Sequence, residues 1–367
     1  MSKKGKVGMK IVVAVFCGII GVADSAYGAS HATTYTAETG YVTLEGNDSG
    51  NGTNSSFHSA KNWSDKEAPH AGTNYFVKAG RTLDIDWVLR DETPAGFVGN
   101  DIVVGGRVRM SGYWGTTAIC GPLTMLPGSV FHWVNLGNIV DGSVHVKGSG
   151  TSAVKPVVFK SGRHNESKLY VVSALMRFTS DPDGVLTWEL HEREQSGVVF
   201  IVQDDWTSFL GTFRIGRCFT FRTRNGRYRM PGHVIIASEA MLELGSATGQ
   251  SEIGALTVCS GGVLNLSATN GGQTVKISKK LELEPGAIVI PQSFGGEIEA
   301  EDFHPVFELT AEAVAAGLPD FKSIPTATAG RKAGIRGPET TDAHFPRLKW
   351  VERNTRDGGK TVGYSYK

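Results

Sequence analysis

One short strand pattern recurs three times between His233 and Ile290, and this recurrence limits the fold more than any other feature. His233-Val-Ile-Ile-Ala-Ser-Glu-Ala-Met-Leu-Glu-Leu244 is echoed by Ala255-Leu-Thr-Val-Cys-Ser-Gly-Gly-Val-Leu-Asn-Leu266. A third copy reads Leu281-Glu-Leu-Glu-Pro-Gly-Ala-Ile-Val-Ile290. Anchored on Met241, Val263 and Ala287, the copies lie 22 and then 24 residues apart. A unit this short cannot bury a core alone and must stack on its neighbours. The expected architecture is all-β: a parallel β-helix, right-handed by the usual crossover rule.

Stacking of coils makes definite demands on side chains. Leu242, Leu264 and Ile288 are expected in one interior row, and Leu244, Leu266 and Ile290 in a second. Glu243, Asn265 and Val289 then point outward, because a strand alternates its faces with a period of two. Several short strands at even spacing also fit a sandwich or barrel; the near-constant register of the three copies favours the solenoid.

Residues 1–28 read as a signal peptide. Lys3, Lys4, Lys6 and Lys10 precede an apolar run from Ile11 to Val22, and Ala26-Tyr27-Gly28 offers small residues for cleavage. The run is well short of the roughly 20 apolar residues a membrane span needs. No transmembrane segment is therefore expected in the mature chain, and the expected destination is secretion or the cell surface. A polar entry segment and N-terminal cap occupies 29–76, and the β-helix 77–294. Residues 295–367 hold a short helix capped by Thr310, a loop, and a closing hairpin of Leu348-Lys-Trp-Val-Glu352 with Thr361 to Tyr366. Such a cap covers the strand edge that a solenoid's last coil leaves open.

Charge excludes one partner class. Lys and Arg total 37 against 36 Asp and Glu, so no global field attracts nucleic acid. Glycine is abundant at 47, as expected of many tight turns at positive φ. Cys120, Cys218 and Cys259 remain after signal removal, an odd number without a Cys-x-x-Cys spacing. Cys259, at a strand end, is expected to act as a buried small hydrophobe.

The opening Asn62-Trp63-Ser64-Asp65…Pro69…Gly72…Tyr75, the Gly-rich coils, and the closing Leu348-Lys-Trp-Val…Asp-Gly-Gly-Lys-Thr361 resemble a bacterial family. These are the secreted, autotransporter-associated-repeat-like β-helix surface proteins. The resemblance implies a right-handed β-helix and a passenger-like surface protein of unknown activity. The chain departs from a full autotransporter in carrying no C-terminal membrane barrel within its 367 residues.

Catalytic constellations are sparse. Glycoside hydrolysis needs paired carboxylates, and Asp204-Asp205 is the only adjacent aspartate pair, followed by Trp206 as a candidate sugar platform. A lyase-type Ca²⁺ site would use alternating carboxylates such as Asp84 and Asp86, but no matching acidic coil accompanies them. His191-Glu192-Arg-Glu194 lacks the second histidine of a zinc helix, and neither a Gly-x-Ser-x-Gly elbow nor a phosphate loop occurs. The expectation is a protein without catalytic residues, cofactor or metal.

Arginine is concentrated between Phe213 and Met230. Asn225-Gly226 is a strong two-residue hairpin signal, which would set Arg224 opposite Arg227 and Arg222 opposite Arg229 on one face. Phe221, Thr223, Tyr228 and Met230 would take the other. Opposed like charges are destabilising, so these four arginines are expected either to meet carboxylates or to bind an acidic polysaccharide or cell-surface glycan. Three function classes follow: a non-catalytic adhesion or glycan-contact solenoid, a polysaccharide lyase or hydrolase on the same scaffold, and a structural envelope component. The missing carboxylate constellations favour the first.

Overall fold

A computed structural model describes residues 39–46, 55–85, 99–111, 122–134, 141–162, 171–190, 197–201, 206–217, 219–223, 228–244, 250–266, 274–290, 303–324 and 348–366. The described residues form a β-solenoid. Up to Phe303–Leu309, successive strands alternate between two sheets, of eleven and thirteen strands, and the last two strands join the larger one. Every pairing is parallel except those made by the two C-terminal strands. No helix among the described residues is long and apolar enough to cross a membrane.

Alternation of apolar and polar residues creates the interior. In the thirteen-stranded sheet one inward row runs Leu83, Val108, Phe131, Phe159, Trp188, Ile215, Ile236, Val258 and Leu283, each beside the next. All nine are buried. Aromatic rings fill the middle coils: Phe131 stacks on Phe159 at 4.8 Å between centroids, and Trp206 lies 4.6 Å from Phe178. Burying an aromatic side chain contributes roughly 1.5–3 kcal/mol, so this stack is a large share of what holds adjacent coils together.

The sequence copies stack in the eleven-stranded sheet, with one correction. Met241, Leu242 and Glu243 stand beside Val263, Leu264 and Asn265, as expected. The third copy is shifted by a residue: Val263, Leu264 and Asn265 meet Ile288, Val289 and Ile290. The interior row is therefore Leu242, Leu264, Val289, all fully buried. Ile288 and Ile290 lie on the outer face, Ile288 in the row of Met241 and Val263 and Ile290 beside Asn265, and the four apolar side chains form a separate cluster. Cys259 follows the strand Ser251–Val258 and is only partly buried, not the core hydrophobe expected.

Both ends are closed by side chains suited to the task. At the N-terminal end the Asn62 carbonyl accepts from the N–H groups of Glu45 and Gly46. Ser64 exchanges hydrogen bonds with Thr43, its Oγ accepting from Thr43 N–H and its own N–H donating to Thr43 O. Trp63 is buried over Tyr75 (4.7 Å), its indole N–H donating to the Phe57 carbonyl at 2.9 Å. At the other end Thr310 caps the helix Ala311–Ala315 through Ala313 N–H. The strand Phe303–Leu309 pairs antiparallel with Lys360–Tyr366, which pairs with Leu348–Asn354. Trp350 packs 4.1 Å from Tyr364.

Candidate ligand-binding surface

With the interior rows filled by apolar side chains, outward rows carry the chemistry. Two such rows run along the thirteen-stranded sheet. One is Ser56, Asp84, Arg109, His132, Lys160 and Glu189. The other is Thr82, Arg107, Val130, Val158, Thr187 and Arg214, continuing through Ile235 and Thr257 to Glu282. Residues two apart on each strand share a face, so the rows lie side by side.

Charge along the first row is largely paired internally. Arg109 Nη1 stands 3.6 Å from Asp84 Oδ2, and Lys160 Nζ stands 3.3 Å from Glu189 Oε1. His132 sits between them and is nearly buried. The second row differs. Arg107 and Arg214 are exposed, and neither has a carboxylate partner among the described residues. Four rungs at ~4.8 Å separate them by ~19 Å, with half-buried Val130 and Val158 and the buried Thr187 between. Guanidinium groups at such a separation suit an extended anion.

The arginines singled out from the sequence are not brought together as a hairpin. Phe219–Thr223 belongs to the eleven-stranded sheet and Arg229–Ile236 to the thirteen-stranded one, each parallel to its neighbours. The coil simply crosses from one sheet to the other. Phe221, Thr223, Tyr228 and Met230 do share a side, because all four point into the core. Arg222 projects from the outer face and is gripped by Glu243, Nη2 at 2.7 Å and Nε at 2.6 Å. Arg229 lies beside Glu252 on the other sheet, and Arg217 pairs with Glu239. Arg224, Arg227 and Asn225-Gly226 lie outside the described residues, as do Asp86, Asp204-Asp205 and His191 to Glu194. Trp206 is no sugar platform: it is fully buried among Phe178, Phe209 and Phe213.

One polar cluster was not anticipated. On the outer face of the eleven-stranded sheet, His145 Nδ1 lies 2.9 Å from Thr179 Oγ1, and Nε2 lies 3.1 Å from Asp181 Oδ1. Asp181 Oδ2 accepts from Gly148 N–H at 3.0 Å and faces Lys147 Nζ at 3.6 Å. Burial pushes the Asp181 carboxyl up, but the Gly148 N–H, Lys147 and His145 outweigh it and hold the group below its ordinary 3.8. The network ties Asp141–Val146 to its direct ladder neighbour Val171–Ser180, where His145 stands opposite Thr179. Its contacts span 33 to 36 residues of sequence, so only the strand register reveals it. Half-buried His233 is depressed, first by desolvation and also by Lys280, against the pull of Glu282; its Nε2 meets Thr257 Oγ1 at 2.9 Å.

No family model, no curated protein and no solved structure matches the chain. What is shown of its kind is therefore the fold, a β-solenoid.

Proposed function

We propose that the protein is an exported, non-catalytic β-solenoid that contacts an acidic glycan through the outer face of its thirteen-stranded sheet. The observation carrying this reading is the single outward row that presents Arg107 and Arg214 without carboxylate partners among the described residues, over a floor of Val130, Val158 and Thr187. Arg222 is already neutralised by Glu243, so it plays a lesser part than Arg107 and Arg214. Export is supported by the charged start and the apolar run Ile11 to Val22, and a passenger-like surface role by the resemblance of the opening and closing segments. The aligned apolar rows inside favour recognition on the surface over chemistry in a cavity.

The test is a glycan array of uronate, sulfated and neutral polymers, run beside a reducing-sugar release assay. Binding confined to the acidic polymers, without release of reducing ends, supports the reading. Silence across the array, or turnover of any polymer, overturns it.

A further inference from the structure

The turn linking the N-terminal cap to the strand Asn74–Val77 gathers three metal-ligating groups of mixed chemistry. Asp65, Glu67 and His70 are all exposed, and one donor atom of each lies within 4.8 Å of the other two. We infer that these three side chains bind a divalent transition ion, with Zn²⁺ as the reference case. This site is independent of the glycan-binding reading.

The geometry already approaches that of a bound ion. His70 Nε2 stands 3.5 Å from Glu67 Oε2. Two neighbouring ligands of a tetrahedral zinc, with bonds of about 2.0–2.1 Å, stand about 3.4 Å apart. Nδ1 lies 3.3 Å from the Ala71 carbonyl, while the Thr73 hydroxyl stands 3.0 Å from Nδ1 and 3.3 Å from Nε2. A carbonyl contact such as that of Ala71 orients a ligating imidazole and leaves Nε2 to face the ion. Asp65 spends one oxygen on the Glu67 N–H, at 3.1 Å, and keeps the second for an ion. Lys66 adopts φ 63°, and its ammonium donates to the Lys61 carbonyl at 3.3 Å.

Donor identity selects the class of ion. An imidazole with two carboxylates suits zinc and its first-row neighbours, whereas calcium and magnesium favour oxygen alone. Three protein ligands leave a coordination position for water. The site is also coupled to the cap, since His70 N–H donates to Tyr75 Oη at 2.9 Å and the Tyr75 ring packs against Trp63. An ion held here stabilises that end of the solenoid by mass action.

The test titrates Zn²⁺ into chelator-treated full-length protein by calorimetry and follows Co²⁺ substitution by its visible absorption. A saturable one-to-one heat and a cobalt band are expected, both lost in His70→Ala. Should His70→Ala disturb the cap by circular dichroism, the Asp65→Asn/Glu67→Gln pair carries the same decision with isosteric amides. Absence of saturable binding, binding undiminished in these ligand variants, or preference for Ca²⁺ over Zn²⁺ overturns the site.

Discussion

Leu264 stands beside Val289 in the eleven-stranded sheet, and Ile288, one residue earlier, belongs to the outer row. This one-residue shift decides which side chain fills the core. Val289→Ala is expected to destabilise the protein by about 2–3 kcal/mol, from lost transfer energy and the cavity left behind. Ile288→Ala removes more atoms but from a half-buried position, and should cost about 1 kcal/mol. Denaturant unfolding of both variants checks this, and the reverse order would contradict the register.

The shift has a visible cause in the turn before it. Gly261 and Gly286 occupy equivalent places there, at φ +76° and +91°, and Gly261 N–H donates to Gly286 O. Glu239 holds the same place in the first copy at φ 60°, its N–H donating to Gly261 O. A non-glycine residue in the left-handed region is strained by roughly 1–2 kcal/mol. Glu239→Gly should therefore raise stability by about 1 kcal/mol, the exposed pairing with Arg217 contributing little. A fall in thermal midpoint would contradict the assignment.

These residues also show what was legible in the sequence. The solenoid could be read because Leu242 and Leu264 repeat the same inward-facing position in consecutive coils. The third register could not be read from hydrophobic pattern alone, since Ile288, Val289 and Ile290 are all apolar and alternation gives no signal. Aligning Gly286 on Gly261 would have fixed it. The arginine hairpin failed for a related reason: Asn-Gly predicts a turn locally, but parallel neighbours on both sheets claim Phe219–Thr223 and Arg229–Ile236. The row joining Arg107 to Arg214 spans several coils of unequal length, so it became visible only with the strand pairing.

Glycine abundance has two causes, and the sequence suggested only one. Gly211, Gly232 and Gly254 precede Thr212, His233 and Ala255, which are ladder neighbours. Here the demand is close approach: a Cβ on Gly232 would lie 2.2 Å from the Gly211 carbonyl oxygen. Gly232→Ala should cost about 3 kcal/mol, because backbone rather than a flexible side chain must move. Unchanged unfolding free energy would refute the close contact between these coils.

The His145–Asp181 network makes a pH-dependent contribution to stability. With its folded-state pKa held below 3.8, Asp181 contributes fully above the unfolded value of about 3.9. That contribution is lost as pH falls through the folded pKa, because the unfolded carboxylate takes up its proton first. Asp181→Asn should be less stable than wild type at pH 7 and show a flatter loss of stability below about pH 4. Parallel pH profiles for the two proteins would show that the network does not hold the carboxylate.

The most direct test of the account is binding of the wild type and an Arg107→Ser/Arg214→Ser variant to a uronate polymer and to heparin, each measured at several salt concentrations. Exposed charges are screened within about 8–10 Å at physiological ionic strength, so wild-type affinity should fall steeply with salt. The variant is expected to bind at least about 10-fold more weakly, a loss of ~1.4 kcal/mol, with a shallower salt dependence. Equal affinity and equal salt dependence in the two proteins would contradict it.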